Sequence, residues 1–417
     1  MGKEDFNKGK RRMNELKKLK DVSNIFDSLH QTPQYVSNSD YKIIRVVDIK
    51  EGSLSLEKSL FVDYYTYLNY TKKHAPKEGD IIITRVGSYG ICSYVKNKEN
   101  FCLGQNLALI NPQINTKYLY YCLISPRVKE QIEKLVVGTT QKTLSLFNIA
   151  NLNIYVHEAS QQQAIADVLS SFDDKIELNN KITKNLEKQA QSLYKHWFVD
   201  FEFPDKNGKP YKSNGGKFKE SELGLIPEDW KCCTIFNVCK RISKKVNDNN
   251  YEVLSAINSG ELIPSKEYFD KQVFSTNTDK YICVEPGNFA YNPARANIGS
   301  IGMNKFNYMG CVSPVYIVVE FEKNYEWFWE YTIKSEKFKE LIKQRSSGSV
   351  RQNFDFNSFA SIKIIYPSKE IVVKFNDQFL QLYKTIEQLK IENQKLAEMR
   401  DYLLPKLMSG EIKVEKR

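Results

Sequence analysis

The stretch Ala164–Phe198, AIADVLSSFDDKIELNNKITKNLEKQAQSLYKHWF, occurs twice as a pattern. Ile165, Leu169, Phe172, Ile176, Asn179, Thr183, Leu186, Ala190, Leu193 and Trp197 are separated by alternating steps of four and three. That is the apolar seam of a supercoiled helix. Moving each position on by 210 gives Phe375, Phe379, Leu382, Ile386, Leu389, Asn393, Leu396, Arg400, Leu403 and Leu407. Eight of the ten positions are apolar in each copy, and Thr183/Asn393 is polar in both. No gap is needed from Gly138/Gly348 to Phe198/Met408. Identity is low, with Gly138, Ala150, Ile154, Asp167, Ile176, Glu177, Leu186 and Leu193 repeated, so the pattern carries the argument. Each long helix needs a partner for its stripe, and the other copy is the simplest one. Such an antiparallel coiled coil would be a rod of roughly 50 Å, at about 1.5 Å per residue over about 34 residues. Two ordinary core helices would carry the same stripe, but here the whole unit is duplicated and not the helix alone.

The 417 residues suffice for two or three domains, and 41% hydrophobic content supports real cores. A net charge of +11 and a pI near 9.0 favour a polyanionic partner, nucleic acid first. The 25 Tyr and 23 Phe suit aromatic packing in β-rich domains. None of the eight cysteines forms a C-x-x-C pair and only four histidines are present, which argues against zinc. Scattered cysteines, without a signal peptide or a membrane-length apolar run, read as reduced, buried and cytoplasmic.

The expected order is a disordered basic tail (1–13), a globular domain (14–158), a long helix (159–200), a linker (201–226), a second domain (227–368), a second long helix (369–410) and a tail (411–417). In the first domain, the runs from Tyr41 to Ile49 and from Gly79 to Arg85 read as strands. Lys117–Val136 reads as helix broken at Pro126, and Ile149–Val156 as a strand entering the long helix. Residues 198–226 hold Pro204, Gly208, Pro210 and Gly215-Gly216 without periodicity, hence a linker. From Thr234 the first half is replayed: Ile235-Phe-Asn-Val-Cys answers Leu19-Lys-Asp-Val-Ser, and Arg295–Gly299 answers Arg85–Gly90. The fold class is α+β, two repeated globular domains each followed by a long helix. Pairing of the helices would give a pseudo-two-fold arrangement.

Three further stretches carry a resemblance. They are Ser192-Leu-Tyr-Lys-His-Trp-Phe-Val-Asp-Phe-Glu-Phe-Pro204 with Ser221-Glu-Leu-Gly-Leu-Ile-Pro-Glu-Asp-Trp230; Asn292-Pro-Ala-Arg-Ala-Asn-Ile-Gly-Ser-Ile-Gly302 with Gly310-Cys-Val-Ser-Pro-Val-Tyr316; and Leu403-Leu-Pro-Lys-Leu-Met-Ser-Gly-Glu-Ile412. Together with the repeat, this ordered set resembles the DNA-specificity (S) subunits of type I restriction-modification systems. The resemblance implies two target recognition domains, each reading one half of a split, asymmetric sequence in double-stranded DNA. It implies helices that set the gap between half-sites and dock two methyltransferase (M) subunits. Restriction (R) subunits would join for cleavage. S-adenosylmethionine, ATP and Mg would then be bound by those partners, with no cofactor, metal or catalytic residue in this chain and no membrane association.

The residues agree with a non-enzymatic chain. No G-x-x-x-x-G-K-[ST] loop is present. Asn292-Pro293-Ala294-Arg295 matches the Asn-Pro-Pro-Tyr element of adenine methyltransferases only in part. Asp173-Asp174 reads as a solvated acidic face. Candidate DNA contacts are Arg, Lys and amide or hydroxyl side chains on turns. In the first domain these are Arg85, Ser88, Tyr89, Gln105, Asn106, Thr140, Gln141 and Lys142; in the second, Lys244, Lys245, Arg295, Asn297, Ser349, Arg351, Gln352 and Asn353. Turn and cap roles compete with DNA contact at each, and Arg85 and Arg295 fit a structural role as well as a DNA one. A two-domain coiled-coil adaptor without sequence-specific DNA binding is the alternative. It would have no use for the duplicated polar loops after Gly138 and Gly348.

Overall fold

The computed structural model describes residues 15–96, 98–138, 142–269, 274–346 and 353–414. The expected tail over 1–13 lies outside them. The chain divides into two compact units: Met1–Ile182 joined with Leu389–Arg417, and Thr183–Gln388. The sequence suggested domains contiguous along the chain. Instead, each unit takes one part of each long helix, Ala159–Tyr194 and Lys369–Ser409.

In the first unit a five-stranded sheet has the order Ser23–Asp27, Leu107–Pro112, Ile81–Thr84, Cys92–Tyr94, Gly52–Ser53. A three-stranded sheet has the order Leu60–Phe61, Lys42–Ile44, Phe101–Leu103. In the second unit the sheets are Cys239–Ile242, Ile317–Phe321, Phe289–Tyr291, Ile301–Met303, and Leu262–Pro264, Glu252–Ala256, Gly310–Val312, Ile282–Val284. The helical pairs Thr116–Ile124/Glu326–Lys334, Pro126–Leu135/Glu336–Arg345 and Leu146–Ala150/Phe356–Ala360 each differ by 210, so the ungapped repeat starts well before Gly138. The break at Pro126 is as expected. Ser125 is extended at ψ 149°, and Pro126 opens the next helix where an N–H would lack a partner. Upstream, Leu19 N donates to Leu152 O and Ile235 N to Ile362 O, both at 2.9 Å, so the matched segments do the same work.

Two strand expectations need correction. Only Lys42–Ile44 is a strand in the Tyr41–Ile49 run. Asp48 accepts from the Arg45 backbone N–H at 2.9 Å and from its Nε at 3.1 Å, closing a 3-10 turn over Val46–Asp48. Ile149 sits in a short helix whose N-terminus is capped by the Ser145 hydroxyl, 3.1 Å from Asn148 N, and the strand begins at Asn153. The linker is also ordered rather than loose. Phe203 stacks on Trp230 at 5.0 Å and on Tyr211 at 4.6 Å, and Phe198 and Phe201 lie against the same indole. These rings join the core of the second unit.

The helices pair antiparallel inside the first unit. Asp173 meets Arg400, while Asn179, six residues on, meets Asn393, seven residues back. Asn179 Nδ2 donates to Glu392 and Asn393, and Asn393 returns a bond to Asn180. The polar seam position Asn393 therefore faces the opposing helix. Asp173 is not a solvated acid: it accepts from Tyr121 Oη at 2.5 Å and from Arg400 Nη1 at 2.6 Å, with its side chain 14% exposed. Asp174 remains half-exposed, between Lys96 and Lys117. In the second unit the seam is apolar apart from Thr183, with Ala190, Phe375 and Phe379 buried and Trp197 against Phe375 at 5.9 Å.

Where the first unit's last strand meets its long helix, Tyr118 Oη donates to Tyr155 O at 2.8 Å. Its single proton is thereby used, so His157 Nδ1, 2.6 Å away, is the N–H donor to Tyr118. The other ring nitrogen, Nε2, is buried without a partner. Burial accordingly lowers the His157 pKa from 6.5. A histidine that stays neutral when folded but binds a proton when unfolded gives full stability above pH 6.5, lost as pH falls below it. Thermal melts from about pH 7.5 to about 5.5 should show a declining midpoint, and His157→Gln should flatten that part of the slope. An unchanged slope would show that the ring is not a proton sensor.

Candidate nucleic-acid interface

Strand registers gather the first unit's polar turns at one end of its sheets. Asp27 pairs with Ala108 and Thr84 with Leu107, so the connections after both strands lie beside the turn that enters Leu107. Gly104 N donates to Ile44 O at 2.8 Å, which brings the end of the smaller sheet alongside. Arg85 N donates to Asn106 O at 2.9 Å and Leu144 N to Arg85 O at 2.8 Å, so the segment after Gly138 joins them. The described candidates of this unit therefore converge, although they span 58 positions in sequence.

Their roles differ. Arg85 is turned inward: its guanidinium pairs with Asp27 and donates from Nε to Leu144 O at 3.3 Å, leaving the side chain 11% exposed. Of its two readings it takes the structural one. Gln105 is occupied by the neighbouring loop; oriented to suit the donors around it, its carbonyl accepts from Thr32 N at 3.0 Å and Gln31 N at 3.2 Å. Asn106 adopts φ 65°, the left-handed conformation asparagine tolerates, and acts through its backbone carbonyl. Ser88 is exposed at the turn. Tyr89 donates to Glu133 at 3.0 Å, and Lys142 Nζ lies 3.3 Å from the same hydroxyl, which holds the ammonium above its usual pKa. Thr140 and Gln141 lie outside the described residues.

The second unit repeats the gathering. Ile242 pairs with Val318 and Tyr291 with Ile317, while Glu252–Ala256 runs parallel to Gly310–Val312. The turns at 243–247, 257–261, 292–300 and 313–316 therefore emerge together, and Phe354 N donates to Pro293 O at 3.0 Å. Lys244 and Lys245 are exposed, with Lys244 Nζ 3.9 Å from Glu285. Arg295, unlike Arg85, is exposed; Asn297 is half-buried in the 3-10 turn Ala296–Ile298, and Asn353 is exposed. Ser349, Arg351 and Gln352 lie outside the described residues. Sequence reasoning missed Asp27, the partner that turns Arg85 inward. It also missed the turn Ile257–Glu261, although Ser259-Gly260 between two apolar runs is a turn signal.

Each unit thus presents a cluster of turn residues rich in cations, amides and hydroxyls on a rigid sheet edge, the chemistry that reads base edges and phosphates. Among the described residues no group of three or more His, Cys, Asp or Glu is placed to hold a metal ion, and no helix is long and apolar enough to cross a membrane. Residues 12–188 match the family described as type I restriction modification DNA specificity domain. Similar proteins include the specificity subunit of the type I restriction enzyme HindI from Haemophilus influenzae, 26% identical and covering 82% of this chain and 88% of that one. The MjaIX specificity subunit from Methanocaldococcus jannaschii is 24% identical, covering 81% and 78%. The solved S subunit from M. genitalium shares the fold, with a TM-score of 0.54 at 16% identity over 96% of this chain and 98% of that one. The match over 12–188 covers the first copy of a unit that the second repeats at a constant offset from Thr116 onward. Residues 12–188 thus match the type I restriction-modification DNA specificity domain, and the chain over most of its length is similar to specificity subunits of type I restriction enzymes.

Proposed function

We propose that this chain reads a split, asymmetric DNA sequence, one half-site per unit, and presents it to partner subunits that carry the chemistry. The observation that supports this most is the duplicated convergence of polar turns at one end of the sheets in each unit. The residues at those ends differ between units: Tyr89, Ser88 and Lys142 in the first, Lys244, Lys245 and Arg295 in the second. Different chemistry at equivalent places suits two different half-sites. The long helices take part in both units and are suited to setting the number of base pairs between half-sites and to docking two methyltransferase subunits.

In this reading the chain is not itself an enzyme. S-adenosylmethionine belongs to the methyltransferase partners, and ATP and Mg to cleavage by the restriction subunits, in a cytoplasmic complex. The test is co-purification with the methyltransferase subunits of the same system, followed by sequencing of methylated adenines. A two-part motif with a fixed spacer is expected. A stable complex that methylates without a motif would overturn the reading and leave a scaffold.

A further inference from the structure

The turn Ile257–Glu261, at the second unit's polar end, is held at both its neck and its base. Ile257 N donates to Glu261 O at 2.9 Å and Gly260 N to Ile257 O at 3.0 Å, while Ala256 pairs with Leu262 just below. At the base, the Glu261 carboxylate lies between Lys305 Nζ, at 2.8 Å, and Lys334 Nζ. Both ammonium groups also reach Glu330 at 2.6 Å, and Glu330 is 5% exposed. Burial alone would raise the Glu261 pKa, but the two lysines outweigh it and hold it below the usual range. This ring of four charges ties the turn to the connection between the strands Ile301–Met303 and Gly310–Val312 and to the helix Glu326–Lys334. A fully paired network of this kind, anchored on the buried Glu330, has few alternative arrangements.

The same turn touches the Arg295 turn backbone to backbone. Gly299 has φ 93°, and a Cβ there would come within 2.8 Å of Asn258 O. Only glycine lets the two turns lie so close. At the outer surface this leaves Asn258 and Ser259 exposed beside exposed Arg295, with Ile298 51% and Val315 63% exposed on the neighbouring turns. An amide, a hydroxyl, a guanidinium and two aliphatic groups on one rigid ridge match the donors, acceptors and thymine methyls of a major groove. Exposed aliphatics there serve no core. The first unit closes the corresponding end with the Arg45–Asp48 turn and exposed Val47, a different set of groups.

We infer that the turn Ile257–Glu261 is a specificity element of the second half-site, with Asn258 and Ser259 reaching base edges beside Arg295, and Glu261 a positioning residue. This rests on the DNA-reading function proposed above. Being locked before DNA arrives, the ridge loses little freedom on binding.

The test is selection of bound sequences from a randomised duplex library by the purified complex with its methyltransferase partners. The wild-type complex should return two half-sites. Asn258→Ala should lose base preference at one or two adjacent positions of one half-site, with cognate affinity falling about tenfold to hundredfold. The other half-site should be unchanged, which reports that the protein is folded. Glu261→Gln should blur those same positions, a change in base preference that a purely structural role would not produce. If Asn258→Ala and Ser259→Ala both return the wild-type motif, the inference is wrong while the DNA-reading function stands. If the wild-type complex selects no split sequence, both fall together.

Discussion

Arg400→Ala is expected to destabilise the first unit by about 3–5 kcal/mol. Arg400 and Asp173 face each other across the antiparallel helices with side chains 19% and 14% exposed. Asp173 has two partners, the Arg400 guanidinium at 2.6 Å and the Tyr121 hydroxyl at 2.5 Å. Removing the arginine leaves a largely buried carboxylate facing a phenol. The full desolvation of that charge then opposes folding, where previously it was offset by the pair. Replacing both partners with apolar groups of similar volume, Arg400→Met with Asp173→Leu, should restore most of the loss, because no charge is stranded. Denaturant unfolding of the full chain measures both, with hydrogen exchange in Thr116–Ile124 assigning the change to the first unit. A loss below about 1 kcal/mol for Arg400→Ala would mean that the pair behaves as a solvated one. The corresponding positions of the second unit carry Ala190 and Tyr383, the latter packed on Trp327 at 4.5 Å. The two halves of the seam therefore differ in chemistry although they repeat in pattern.

Trp230→Ala is expected to cost about 3–5 kcal/mol in the second unit. Trp230 is 1% exposed and stands at the centre of Phe198, Phe201 and Phe203, with Phe203 stacked at 5.0 Å and an interplanar angle of 21°. Its loss opens a ring-sized cavity among the aromatic side chains that pack on it. Trp230→Phe should cost much less, since part of the stacking survives. Faster hydrogen exchange over residues 198–230 would accompany the alanine variant. A small loss with unchanged exchange would make the aromatic cluster peripheral to the unit.

Repeats and periodicity were legible because they are local. The seam from Ile165 to Trp197 and its copy predicted two long helices, and both form. Gly79 and Gly287 both adopt positive φ, at 91° and 86°, two residues before the strands Ile81–Thr84 and Phe289–Tyr291. Most candidate turns were also found, since Gly, Ser and Asn mark them directly. What stayed hidden depends on partners remote in sequence. Asp173 looked solvated because Arg400 lies 227 residues away. Arg85 stayed open between a structural and a DNA role because nothing local identifies Asp27 as its acceptor. The segment from Phe198 to Ile226 looked like a linker because its rings fit no helical or strand period. They pack by stacking, which leaves no regular spacing in the chain. Membership of the units was hidden for the same reason, since the helix after the second domain returns to the first unit.

That return has a consequence for synthesis on the ribosome. The core of the first unit includes Leu404, Leu407 and Met408, packed with Cys122, Ile165 and Leu169. Translation normally lets the earlier unit fold first. Here residues 15–182 emerge with a gap in their core that is filled only after a further 220 or so residues. At about 5–20 residues per second, that is a wait on the order of 10–45 s. The second unit, contiguous from Thr183 to Gln388, is complete before the first can close. The nascent chain therefore carries an exposed apolar surface for most of its synthesis, and the unit begun first is finished last.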